Sequence, residues 1–123
     1  MTTAKAKRAA LKTAIAAAMP SGWAVYSSPP ETVTAPAVVI GPRSPYRQWG
    51  SFGTEDVNVQ LTVLVPRALG ADALDNVDDA LDTVLGAIDT VANAMPMEVT
   101  TVGLSQAAGV DYVTAVLDVT VKG

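Results

Sequence analysis

Two groups of side chains in this sequence are candidates for chemistry, and the first is a set of aspartates. They are Asp75, Asp78, Asp79, Asp82 and Asp89. Paired carboxylates act as general acid and base when a cleft raises the pKa of one of them, and carboxylate oxygens bind Mg²⁺ and Ca²⁺. The spacing does not match an EF-hand loop. We expect these side chains on the outer face of a helix, where solvation explains them better than catalysis or metal binding.

Other kinds of catalytic site lack their usual residues. The chain has no histidine and no cysteine, which removes the commonest general base, the thiolate nucleophile and the commonest transition-metal ligands. The stretch GSFG has neither the lysine nor the helix start of a phosphate-binding loop. We therefore expect a protein that is not an enzyme and that binds no cofactor and no metal.

The second candidate group lies in residues 41–57, whose sequence is GPRSPYRQWGSFGTEDV. This segment is rich in tyrosine, tryptophan and arginine, the residue types that dominate protein–protein hot spots. We predict a long contact loop over 42–54, with Arg43, Tyr46, Arg47, Trp49 and Phe52 as contact residues. Two alternatives stay open. The aromatics could fold back on the sheet, or they could bind single-stranded nucleic acid, which a net charge of −4 disfavours.

Apolar periodicity predicts the elements that hold these residues. Thr3 and Asp72 are expected to cap the two helices. The predicted helices are 3–18 and 72–93, and the predicted strands are 22–28, 35–42, 55–66, 97–104 and 110–121. The strand over 55–66 alternates most clearly, with valines and a leucine on one side and polar residues on the other. The last two strands form a hairpin with a loose turn at SQAAG.

The element order is therefore α-β-β-β-α-β-β. It predicts an α+β fold, with an antiparallel or mixed sheet of four to five strands and two helices packed on one face. The 123 residues fit a single domain, 1–123. No apolar run reaches the ~20 residues of a membrane span, so we expect no membrane contact.

The two predicted helices carry opposite charges. Lys5, Lys7, Arg8 and Lys12 lie in the first, whereas the second has aspartates and no basic residue. The cations form either a solvated face or a docking face. Opposite charges on the two ends of one fold suit head-to-tail neighbours, and a head-to-tail contact repeated around an axis closes into a ring.

The whole pattern resembles a known family. A short helix precedes GWAVYSSPPETVTAPAVVIGP, then come a variable segment, the strand VNVQLTVLV, a helix with ALDNVDDALDTVLGAI, and a hairpin ending in AVLDVTV. Over nearly its full length the chain resembles the tail-terminator, or tail-completion, proteins of long-tailed phages of the lambda-like type. Its composition, rich in Ala, Thr, Val and Asp, is similar to that of proteins from phages of actinobacteria.

The resemblance implies a structural virion protein of the tail or neck, present in the host cytoplasm during assembly. Such proteins form a homo-oligomeric ring, a hexamer, that caps the head-proximal end of the tail tube and stops its polymerisation. The implied partners are other copies of the chain, the tube protein and the head-completion or stopper protein. DNA only passes through the lumen, without sequence-specific binding. The acidic helix would face that lumen, a neighbouring subunit or solvent. Alternative functions are a head-to-tail adaptor or stopper, a tube subunit, a small enzyme or acyl-binding domain, and a partner-binding module of the host unrelated to phage.

Overall fold

The computed structural model describes residues 3–30, 36–50, 53–66, 73–107 and 110–123, with only the backbone described at residues 73, 101, 105–107 and 110. The helices are α1 (Ala4–Ala18) and α2 (Ala73–Ile88). The strands are β1 (Ala24–Tyr26), β2 (Ala37–Trp49), β3 (Glu55–Pro66), β4 (Ala94–Ala107) and β5 (Val110–Val121). The predicted α+β class and element order are confirmed.

The described strands form one mixed sheet in the order β1-β2-β3-β5-β4. The β1–β2 pair is parallel and the other pairs are antiparallel. The edge strands differ greatly, because β1 has 3 residues and β4 has 14. A long edge strand leaves a row of backbone groups available to another chain.

Both helices pack on one face of the sheet, over the central strand β3. Its alternating residues Val57, Val59, Leu61, Val63 and Val65 are almost fully buried in a core that includes side chains of α1, α2 and β5. The predicted apolar face of this strand is confirmed. A smaller apolar cluster lies on the opposite face, around Val39, Leu64 and Tyr112.

The helix ends follow local signals. The Thr3 hydroxyl caps α1 by accepting a hydrogen bond from the Ala6 N–H over 3.1 Å, and α1 ends before Pro20. Helix α2 ends at Ile88, five residues earlier than predicted, and a turn follows in which Asn93 has φ 65°. This left-handed residue reverses the chain, so that β4 begins at Ala94. The predicted cap Asp72 lies outside the described residues.

The predicted loop over 42–54 is wrong for residues 42–49. Strand β2 continues to Trp49, and its antiparallel pairing resumes with Arg47 opposite Val57 and Trp49 opposite Glu55. A bulge between Pro42 and Arg47, with a cis Ser44–Pro45 peptide bond, accommodates the prolines. Proline cannot donate to a strand ladder, but a bulge removes residues from the ladder without ending the strand. The Gly50 N–H then donates to the Thr54 carbonyl across a short turn.

The terminal hairpin also differs from the prediction. Strand β4 extends through Ala107 and β5 begins at Val110, so most of the predicted loose turn is strand. Two bulges, at 96–98 and 99–101, let β4 curve along β5.

Candidate protein-binding surface

Trp49, Arg47 and Glu55 form a contiguous group at the end of β2, on the helix side of the sheet. The Arg47 guanidinium donates two hydrogen bonds to the Glu55 carboxylate, of 2.8 and 3.0 Å. Its Cζ atom lies 5.5 Å from the centroid of the Trp49 ring. These hydrogen bonds lower the pKa of Glu55 and raise the pKa of Arg47. Arg47 and Trp49 thus form a cation–aromatic pair, in which Trp49 is 65% exposed.

Arg43 lies on the opposite face of the sheet. Its Nη2 donates to Asn58 Oδ1 over 3.2 Å and to Thr120 Oγ1 over 3.0 Å. Its Nε lies 3.9 Å from an Asp118 carboxylate oxygen, an ion pair too long for a hydrogen bond. Arg43 therefore links β2 to β3 and β5 through Nη2, while its buried Nε has no hydrogen-bond partner among the described residues.

Asn58 joins the β2 bulge to the sheet. Its Nδ2 donates to the Pro45 carbonyl over 2.7 Å and to Gln48 Oε1 over 2.8 Å. Its Oδ1 accepts from Arg43 and Thr120, so all four hydrogen-bonding positions of the carboxamide are occupied. The alternation of the strand predicts a wet or partner-facing position for Asn58. The structure buries it, because the bulge folds over that end of the face.

The predicted contact residues therefore do not form a single surface. Trp49 is largely exposed and Arg47 is half-exposed, whereas Tyr46 is half-buried against the core. Phe52 lies outside the described residues. The alternative prediction is that the aromatic side chains of this segment fold back on the sheet. It is correct for Tyr46 but not for Trp49.

The cations of α1 divide into two pairs. Lys7 is buried and its Nζ donates to the Glu55 carbonyl over 2.7 Å, while Arg8 Nη1 donates to the Ser27 carbonyl over 3.0 Å. These two side chains attach α1 to the strands below it. Lys5 and Lys12 are exposed, so of the four cations of α1 only these two are available to contact a partner.

The acidic side chains of α2 are as exposed as the sequence predicts. Asp75, Asp78, Asp79 and Asp82 lie on the helix and Asp89 directly follows it. Within the described part of the chain, no cation forms a salt bridge with any of these carboxylates.

Sequence reasoning missed the apolar surface of β4. Met97, Val99, Val102 and Leu104 are 59, 42, 49 and 63% exposed. Val99, Val102 and Leu104 lie opposite Leu117, Ala115 and Val113 of β5 and share the helix side of the sheet with them. Their alternation predicts a strand but not its place, since only the strand order shows that β4 is an edge that the helices leave uncovered.

The charges are segregated between the two edges of the sheet. The segments α1, β1 and β2 contain six cations and no acidic residue: Lys5, Lys7, Arg8, Lys12, Arg43 and Arg47. Residues 73–107, which span α2 and β4, contain six acidic residues and no cation: Asp75, Asp78, Asp79, Asp82, Asp89 and Glu98. Since α1 packs against β1 and β2, and α2 against β3, β5 and β4, one edge is cationic and the opposite edge is acidic and apolar.

The clefts are open and have mixed linings. One of about 480 Å³ lies between α1, the start of β3 and the end of β5, with Lys7, Glu55, Asn93 and Lys122 among its lining residues. Within the described ranges, no group of three or more potential ligand residues could hold a metal ion. Neither described helix has the length and apolar character needed to cross a membrane.

No protein-family model and no curated protein matches the sequence.

Proposed function

We propose that the protein is a tail terminator, a structural virion protein whose copies form a ring on the head-proximal end of a phage tail tube. The ring stops tube polymerisation and presents a docking surface to the head connector, while DNA passes through its lumen. The observation that carries the proposal is the pair of unlike edges, one cationic and the other acidic and apolar, on a single sheet.

Unlike edges favour head-to-tail contacts. The exposed Asp78, Asp82 and Asp89 and the apolar side chains of β4 lie on one edge, and the exposed Lys5 and Lys12 lie by the other. Within one copy the acidic edge cannot pair with the cationic edge, because the width of the sheet separates them. A contact between different surfaces of identical chains produces a ring when the rotation closes and a filament when it does not.

Trp49 provides a separate anchor for a second partner. It stands beside the turn between β2 and β3 and is held by Arg47. Exposed tryptophan next to arginine is typical of interface hot spots. In the proposed ring this residue contacts the tube protein or the head-completion protein.

Native mass spectrometry over a concentration series, with and without Mg²⁺, tests the assembly. Electron microscopy of the protein mixed with purified tail tubes tests the function. Closed rings that bind one end of each tube and stop its growth are the expected result. Long tubes formed by the protein alone would identify a tube subunit. Failure to form a ring or bind tube ends, together with binding to head connectors, would replace the proposal with an adaptor or stopper.

A further inference from the structure

We propose that the trough between α2 and β4 of one copy receives α1 of the next copy; this rests on the proposed function. The trough is defined by Val99, Val102 and Leu104 on its floor and by Asp78, Asp82, Leu85 and Asp89 along its wall. The floor is apolar and exposed, and the carboxylates of the wall have no cationic partner among the described residues.

The side of α2 that forms the wall follows from its contacts. Asn76, Asp79 and Thr83 line a cleft together with Met19 and Trp23, so that side of α2 faces the end of α1. At about 100° per residue, Asp78, Leu85 and Asp89 fall on the other flank of α2, toward β4, with Asp82 at the rim. The acidic wall therefore faces the part of the sheet that the helices leave uncovered.

The residues on the outer side of α1 indicate that α1 of the next copy is the helix that fits the trough. Arg8 reaches the Ser27 carbonyl just beyond β1, which shows that its side of α1 faces the β1 edge. Lys5 and Lys12 lie three residues before and four residues after Arg8, on the same side of the helix.

Charge and spacing both match between the two surfaces. Lys5 and Lys12 are seven residues apart in α1, which corresponds to about 10.5 Å along its axis, and Asp82 and Asp89 are also seven residues apart in sequence. Two copies placed edge to edge would continue the layer of helices, with α1 of the second copy next to α2 of the first. α1 of the second copy would then lie beside the exposed apolar floor, with Lys5 and Lys12 at the acidic wall.

Charge reversal tests this contact. Lys5→Glu/Lys12→Glu and Asp82→Lys/Asp89→Lys are each expected to raise the concentration for half-assembly on the order of tenfold or more. The two double variants mixed together, or combined in one chain, should regain assembly. The altered side chains are exposed, and circular dichroism with thermal unfolding verifies that the variants fold. Sedimentation velocity at low and high salt measures assembly, which salt should weaken.

Asp79→Lys is the control for Asp89→Lys, because it makes the same charge change on the side of α2 that faces α1. Equal losses in these two variants would show that only net charge matters and would overturn the trough contact. Rings that persist in both double variants, or no recovery in the combination, would also overturn it and leave the terminator function intact. A wild-type protein that forms no ring, alone or on tubes, would remove both proposals.

Discussion

Thr120 and Asn58 are directly opposite each other on β5 and β3, and the Thr120 hydroxyl donates to Asn58 Oδ1 over 2.7 Å. Arg43 donates to both side chains from β2. Three strands are thus joined on the face away from the helices by hydrogen bonds between polar side chains. This network holds the β2 bulge in place and, through it, the strand end that carries Trp49.

Asn58→Ala tests the network. The substitution leaves the Pro45 carbonyl and Arg43 without one partner each, and we expect it to lower the free energy of unfolding by about 2–3 kcal/mol. Urea denaturation measures the change. Asn76→Ala, at a half-exposed position of α2, is the control and should change stability by no more than about 0.5 kcal/mol. Equal stabilities of the two variants would contradict a structural role for the network.

Glu55 gives a prediction for acid stability. Its pKa is lowered from an ordinary value of 4.5, chiefly by hydrogen bonds from Arg47. The pKa of Asp56 is also lowered, first by the Gly123 N–H and then by Lys122. A carboxyl whose folded-state pKa is lowered stabilises the fold above its ordinary pKa, and this stabilisation is lost as the pH falls toward the folded-state value.

The free energy of unfolding, measured from neutral pH down through pH 4.5, should therefore decrease. This decrease should be less steep for Glu55→Gln than for wild type. Asp82→Asn is the control, since it removes a carboxylate with no described partner and leaves the Arg47–Glu55 hydrogen bonds in place. A Glu55→Gln curve that coincides with wild type would show that the ion pair does not contribute.

Replacement of both Trp49 and Arg47 by alanine is expected to leave the monomer folded and to abolish the joining of heads to tails. The tryptophan is 65% exposed, so its removal creates no buried cavity. Infectious-particle yield in a complementation assay measures joining, and circular dichroism checks the fold. Trp49→Phe keeps an aromatic surface and should retain most of the yield. An unchanged yield in the double variant would show that this strand end contacts no partner.

A lysine on the apolar face of β4 should block self-association without unfolding the chain. Val102 is 49% exposed, so Val102→Lys is expected to change the free energy of unfolding by no more than about 1 kcal/mol. Light scattering at increasing concentration should show loss of assembly. Thr100→Lys adds the same charge to an exposed position of the same strand, and this variant should assemble more readily than Val102→Lys. Normal assembly of Val102→Lys would exclude this face from the contact between copies.

Strict alternation predicts a strand well when one of its faces lies on the core. The bounds of β3 and β5 agree with the sequence for this reason, since Val57 to Val65 and Val113 to Val121 each place alternate side chains in the interior. The start of α1 also agrees, because Thr3 supplies a cap with its own hydroxyl.

The errors arise where long-range contacts decide the outcome. Pro42 and Pro45 indicate the end of a strand locally, but Asn58 holds their bulge against the sheet through hydrogen bonds across 13 residues of sequence separation. The exposed apolar surface of β4 also could not be predicted without the strand order. Val102 looks like a core residue in the sequence, and it is exposed because β4 lies at the edge.

The opposite charges of the two edges also decide which small assemblies are disfavoured. Two copies that meet by the same edge, as in a two-fold dimer, bring like charges together and repel each other. Growth by unlike edges leaves one unmatched cationic end and one unmatched acidic end on every open chain. The closing contact joins two ends that are already tethered, so it forms at high effective concentration and without further loss of translational freedom. An assembly of this kind is cooperative, with free monomers and complete rings abundant and partial arcs scarce.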